Sequence, residues 1–248
     1  MENKQIVYGR KPVLELLKAG SQIEKIYIQQ GLHGPFEVEL RNLMKGKDIP
    51  LSVIPPGKLD KISRGNHQGV IAYSALVDYV DFESLVELAF EKSGAPLFLF
   101  LEGITDVRNF GAILRTAEVL GVDAIFSPSK NTALVNEDMI KTSAGALFNI
   151  PMARVKSMDR ALQYLRDCGV FVAVSHLGAE KRITELDFTG PVCVVIGSEE
   201  TGVSEHTTKL ADSLFLIPQQ GQIDSLNVAV SAGVILYEIQ RQRGFQKF

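Results

Sequence analysis

No apolar run in the 248 residues approaches the ~20 that a membrane-spanning helix needs. Residues 1–30 carry acidic side chains and no continuous apolar stretch, so no secretory leader is expected. Cysteine is scarce. Cys168 and Cys193 have no metal-ligating neighbour at useful spacing, and both read as small buried apolar residues. His33, His67, His176 and His206 are scattered, without a His-Glu-x-x-His pattern, so no metal site is expected. No Gly-x-Gly-x-x-Gly follows a strand-like run, which speaks against an ordinary dinucleotide fold. No Gly-x-Ser-x-Gly elbow supports esterase chemistry. Gly197–Gly202 has the spacing of a phosphate loop, but Val203 and Ser204 stand where the lysine and hydroxyl should be. Glu199 and Glu200 would also repel phosphate. A cytoplasmic protein without membrane or metal fits these absences. Internal repeats and low-complexity tracts are missing too.

What is present is ordinary in amount and uneven in placement. Hydrophobic residues make up 46% and charged residues 22%, the usual balance for a globular chain. The net charge of −3 hides an asymmetry. Residues 1–76 hold 11 Lys and Arg against 7 Asp and Glu, whereas residues 77–248 hold 15 against 22. Such a split suggests a basic N-terminal module able to meet a phosphate backbone, and a second part with another task.

The pattern predicts an α/β module over 1–76: helices at Pro12–Ala19 and Phe36–Met44, a helical turn at Pro56–Ile62, and strands at Lys25–Ile28, Leu51–Ile54 and Gly69–Ser74. Residues 77–94 read as a linker carrying one helix. The second domain, 95–248, opens on the wholly apolar strand Leu97–Leu101. Helices at 109–120, 137–147, 157–167 and 226–241 follow, with strands at Ala124–Phe126, Val170–Val174, 192–196 and 214–217. Strands without alternation, separated by helices, predict a parallel sheet covered on both faces. The loops after Val192–Ile196 and Leu214–Ile217 are rich in Gly, Ser, Glu, Gln and Asn. Side by side at carboxyl ends of strands, they would form one ligand pocket.

Three segments stand out: NFGAILRTAEVLG from Asn109, VVIGSEETGVS around Gly197, and IPQQGQIDSLNVAVSAGVILYE from Ile217 onward. In the first, Asp106 or Asn109 can cap the helix, Gly111 permits close backbone approach, and Arg115 lies among apolar positions. Ser225 and Asn227 precede the last helix as capping signals. That helix is apolar nearly all round, so its second side predicts contact with another subunit.

These segments resemble the three signature motifs of the SpoU (TrmH) family of RNA ribose 2′-O-methyltransferases. VYGRKPVLELLKAG and NHQGVIAYS resemble the small L30e-like substrate-binding domain of the ribosomal-RNA branch. The resemblance implies a SPOUT-type α/β fold with a C-terminal trefoil knot, a homodimer, and S-adenosyl-L-methionine as cofactor. It implies transfer of the methyl group to a ribose 2′-oxygen in RNA, most naturally a guanosine of 23S ribosomal RNA or its precursor particle, with transfer RNA as the sibling substrate. A non-catalytic ribosome-assembly role is the competing reading. Matched position by position, it makes Asn109, Arg115, Glu199, Ser225 and Asn227 catalytic, and Gly197, Ile217 and Leu226 cofactor contacts; Ser175 is a further candidate for the cofactor. In the basic N-terminal module, Arg10, Lys11, Arg64 and His67 are candidate RNA contacts. One departure from the usual second motif is visible: Glu200 and Thr201 intervene between Glu199 and Gly202.

Overall fold

The computed structural model describes residues 6–18, 20–74, 77, 79–221 and 225–245, and the chain divides into two compact units, residues 1–78 and 79–248. Among the described residues, no helix is long and apolar enough to cross a membrane.

In the first unit, the strands are β1 (Ile6–Tyr8), β2 (Ile23–Gln29), β3 (Leu51–Ile54) and β4 (Val70–Ser74), in the order β1-β4-β2-β3. β4 runs antiparallel to β1 and β2, while β2 and β3 are parallel. Helices α1 (Arg10–Lys18), α2 (Pro35–Met44) and α3 (Pro56–Ile62) connect them. Val13, Leu14 and Leu17 of α1 meet Ile26 and Ile28 of β2, Leu40 of α2 and Val70 and Ala72 of β4 in one core. The spacing of Val13, Leu14 and Leu17 follows the helical period, so one stripe faces the sheet. Strand β1 is the element the sequence pattern misses. Three residues at a sheet edge carry too little periodicity to register.

The second unit begins with α4 (Phe82–Lys92), inside the stretch read as a linker with one helix. Asp81 caps it by accepting from the Ser84 amide. Its Leu85, Val86 and Ala89 belong to the unit's own core, beside Phe98, Phe100 and Phe126. Six strands follow: β5 (Leu97–Glu102), β6 (Ala124–Pro128), β7 (Met152–Val155), β8 (Phe171–Ser175), β9 (Val192–Gly197) and β10 (Ser213–Phe215). Every pairing is parallel, in the order β10-β8-β9-β5-β6-β7. The chain moves outward from β5 through β6 to β7, then returns to the other side of β5. The strand order reverses between β5 and β9, and at such a switch point the loops diverge and leave a crevice.

Helices α5 (Val107–Val119), α6 (Glu137–Thr142), α7 (Met158–Asp167), α8 (Glu205–Leu210) and α9 (Val228–Gln242) complete the unit. The predicted helix 137–147 stops at Thr142, because Ala144 and Gly145 adopt positive φ before a short 3-10 turn. Strand β7 and helix α8 go unread in the sequence, being only four and six residues long. Cys193 is buried, and that burial pushes its thiol well above the usual range. Cys168, expected to be buried, is exposed. It lies at the C-cap of α7, where the chain turns outward before Gly169.

Two details fix the frame around the crevice. Gly111 of α5 faces α6 so closely that a Cβ there would lie 1.9 Å from the Thr142 hydroxyl. Arg243, just past α9, donates from Nε to the Phe188 carbonyl, from Nη1 to Ala95 and from Nη2 to Gly190. Burial lowers its pKa, yet three carbonyls satisfy the fork and tie the end of α9 to the sheet's lower edge.

Candidate active site

Three side chains from three separate segments converge at the carboxyl edge of β5 and β9. Asp106 caps α5, accepting from the amides of Arg108 and Asn109 at 2.9 and 2.8 Å. The Asn109 side chain therefore projects from the first turn of that helix. Glu199 follows β9. Asn227 caps α9, its Oδ1 accepting from the amides of Ala229 and Val230. With that oxygen committed to the helix, the Asn227 amide nitrogen points the other way. It donates to Asn109 Oδ1 at 3.0 Å and to Glu199 Oε1. Glu199 Oε1 also accepts from the Val228 amide at 2.9 Å and from Asn109 Nδ2 at 3.4 Å.

This arrangement has a definite polarity. Three donors gather on one carboxylate oxygen, one of them the first amide of α9, where the helix dipole favours negative charge. Oε2 of Glu199 takes no part in these bonds. The two asparagine amides cannot be reversed without setting oxygen against oxygen. The cluster is exposed enough to meet a ligand and ordered by its own bonds.

The loop from Gly197 to Ser204 is tightly turned. The Gly202 amide donates to the Ser198 carbonyl, and the Ser198 and Thr201 hydroxyls lie 2.7 Å apart. The extra residues Glu200 and Thr201 are thus absorbed in a self-bonded turn. A Cβ on Gly197 would stand 2.1 Å from the Gly202 carbonyl carbon and 2.2 Å from the Val203 nitrogen, so only glycine fits. Glu102, at the end of the apolar strand β5, accepts from the Ser204 amide at 3.3 Å. Sequence reasoning passed over Glu102, although a lone carboxylate closing an LFLFLE strand is a signal in itself.

The two pocket-forming loops do not follow adjacent strands. β8 lies between β9 and β10, so Ser175, the last residue of β8, stands between them. The His176 amide donates to the Phe215 carbonyl, and Leu216 bridges to Arg182. The loops are nonetheless joined, through Glu199 and Asn227. Gly197, Ser175 and Ile217 are part-exposed along this edge, and Leu226 is exposed. A row of backbone groups with small or apolar side chains suits a nucleoside held by main-chain contacts. The room left by the absent Gly197 side chain is taken by the Gly202–Val203 backbone, which closes the turn beside this edge.

Not every expected residue joins the cluster. Arg115 is exposed on α5, and no hydrogen bond among the described residues ties it or Ser225 to Asn109, Glu199 or Asn227. Six residues beyond Asn109, it is ~9 Å further along the helix axis. Among the described residues no group of acidic, His and Cys side chains is arranged to hold a metal. In the first unit, Arg10, Lys11 and Arg64 are exposed. Arg10 Nε donates to the Gln68 carbonyl, and its guanidinium lies over the Phe36 ring. The His67 side chain is only 11% exposed, with Nε2 at 2.9 Å from Asp60 and Nδ1 accepting from the Gly69 amide. Both its nitrogens are engaged in shaping the 64–69 loop.

A parallel α/β sheet with its polar cluster at the switch point has the layout of a ligand-binding α/β protein. The SpoU rRNA Methylase family profile matches residues 96–237, and the profile for RNA 2′-O ribose methyltransferase substrate binding matches residues 6–80. The chain belongs to the SpoU rRNA methylase family, and so is an S-adenosylmethionine-dependent RNA methyltransferase. It is 32% identical over 237 residues to a TrmH family tRNA/rRNA methyltransferase, named as putative, from Bacillus subtilis, covering 96% of this chain and 95% of that one. The SpoU methyltransferase AviRb of Streptomyces viridochromogenes superposes with a TM-score of 0.62 at 24% identity, covering 98% of this chain and 90% of its own. The A. aeolicus TrmH/SpoU tRNA modifying enzyme gives a TM-score of 0.57 at 29% identity, covering 66% of this chain and 84% of its own.

Proposed function

We infer that the protein methylates a ribose 2′-hydroxyl of RNA, at a guanosine of 23S ribosomal RNA. The Asn109–Glu199–Asn227 cluster beside the Gly197 turn carries this reading. S-adenosylmethionine supplies an electrophilic methyl group. Gly197, Ser175, Ile217 and Leu226 hold it through backbone and apolar contacts in the C-terminal turns, whose crossing is the proposed trefoil knot. A ribose hydroxyl is a poor nucleophile until its proton leaves, so an acceptor must stand beside it. Glu199 offers Oε2, which takes no part in the bonds to Oε1 among the described residues, while Asn109, Asn227 and Ser225 orient the hydroxyl. Arg115 cannot serve as a base, because a guanidinium keeps its proton at ordinary pH. It grips a neighbouring phosphate bidentately and fixes the sugar. Positioning of this kind supplies much of the rate in a group transfer.

The exposed stripe Val230, Val234 and Tyr237 on α9, with Tyr237 57% exposed, supports a homodimer built on that helix. The basic first unit supports ribosomal RNA, or a ribosome precursor, as the cytoplasmic substrate. Transfer RNA is the second reading, favoured by the similarity to the A. aeolicus tRNA modifying enzyme.

Mapping ribose methylation in RNA from cells with and without the gene separates these substrates. A lost 2′-O-methyl guanosine in 23S RNA is expected, and loss only in transfer RNA selects the second reading. In purified protein, Arg115→Ala should nearly abolish turnover with cofactor affinity close to unchanged. Equal collapse of cofactor binding overturns the role given to Arg115.

A further inference from the structure

The first unit carries an aromatic side chain whose exposure its own packing does not explain. Tyr8 ends the edge strand β1 and is 43% exposed. Its outer ring lies against the backbone of Gly65. A Cβ on Gly65 would stand 2.5 Å from Cε2 and Cζ of Tyr8 and 2.7 Å from its hydroxyl. Gly65 does not have the positive φ that would itself call for glycine. The missing side chain therefore serves the ring and not the turn. It lets the phenol lie on the main chain.

The surroundings are cationic. Arg64 precedes Gly65 and is exposed, and Arg10 and Lys11 follow Tyr8 by two and three residues. The two segments are fastened together. The Gly9 amide donates to the Val70 carbonyl, the Arg10 amide to Gln68 Oε1, and Arg10 Nε to the Gln68 carbonyl. The nearby acid Asp60 is engaged by His67. A part-exposed aromatic ring set against a glycine backbone, on two joined segments that carry the exposed Arg10, Lys11 and Arg64, combines two features of single-strand recognition: a stacking surface for a base and positive charge for the strand's phosphates.

We propose that Tyr8, seated on Gly65, is a stacking platform for one unpaired nucleobase of the RNA substrate. This rests on the reading of the protein as an RNA methyltransferase, and it adds a base-stacking contact remote in sequence from the methyl-transfer cluster. The platform takes a base from a loop or bulge, because bases inside a duplex have no free face.

The chain has no tryptophan, so Tyr8→Trp creates a protein with a single indole exactly where the stack forms. A 12-nucleotide single-stranded RNA should quench its emission, while the same RNA annealed to its complement should quench far less. Tyr8→Ala should bind the single strand on the order of tenfold more weakly. Tyr8→Phe should bind within about twofold of the unaltered protein, since the ring and not the hydroxyl stacks. Gly65→Ala, which displaces the ring but keeps every functional group, should behave as Tyr8→Ala does. With unmethylated RNA from cells lacking the gene, Tyr8→Ala should raise KM and leave kcat and S-adenosylmethionine uptake unchanged. Three results overturn the proposal: equal quenching by single strand and duplex, unchanged RNA affinity of Tyr8→Ala, or a change in apparent mass on Tyr8→Ala that marks the ring as a protein contact. The emission experiment needs no methyl transfer, so an unaltered protein that transfers none would overturn the reaction and leave the stacking readout intact.

Discussion

Asn227 does two things at once. Its oxygen caps α9 and its nitrogen donates to Glu199 and Asn109. Asn227→Asp keeps the cap, since a carboxylate accepts from the same amides. It replaces the donor with a second carboxylate oxygen facing Glu199. Two adjacent carboxylates cannot both stay ionised cheaply, so one must take up a proton or swing away. Methyl transfer should fall at least a hundredfold at neutral pH, while the thermal midpoint moves by only a few degrees, as the loss of ~1 kcal/mol would give. Turnover within tenfold of the unaltered protein would show that the amide donor is dispensable. Asn109, Glu199 and Asn227 could be marked as candidates in the sequence, but their convergence could not. They are 90, 118 and 28 positions apart pairwise. His67 is a second case of bonds that no local pattern shows: its ring nitrogens face Asp60 and the Gly69 amide.

At the scale of elements, α5 is the pivot. Its buried stripe of Phe110, Ile113, Leu114 and Ala117 packs inward, and Gly111 meets α6. In an exposed helix, Gly→Ala stabilises by about 1 kcal/mol. Here the new methyl would meet Thr142, whose hydroxyl is held by the carbonyls of Asp138 and Met139. Overpacking of this kind costs about 1–3 kcal/mol, so Gly111→Ala should be net destabilising. Chemical denaturation should show a lowered midpoint, and Gly111→Ala with Thr142→Ala should recover part of the loss. A raised midpoint for the single variant would mean that α6 yields freely. The period of α5 was readable, and its start moved only from 109 to 107, because Asp106 rather than Asn109 is the cap. Helix α9 was read as apolar all round. Its buried face is Val228, Ala232, Ile235, Leu236 and Ile239, and Val230, Val234 and Tyr237 form the exposed stripe.

For the whole molecule, charge and chemistry are divided between two units. If the basic first unit binds phosphates through Arg10, Lys11 and Arg64, RNA affinity should drop steeply as salt is raised. With three phosphate contacts the logarithmic slope is about −2 to −3, by the ~0.7–0.9 released counterions per contact. Filter binding between low and physiological salt measures it. Substituting all three by alanine should flatten the slope toward zero without altering S-adenosylmethionine uptake. A slope unchanged by the triple substitution would place the phosphate contacts elsewhere.

The sequence by itself determined the division into a small mixed module and a larger parallel α/β unit, because apolar period and helix caps are local properties of neighbouring residues. It also marked the polar turns after β9 and β10. Only the tertiary structure decided that β8 separates those two strands, that Glu199 collects three donors from distant segments, and that Tyr8 rests on Gly65. Those are consequences of strand order and of contacts between residues far apart in the chain, and no window of sequence contains both partners.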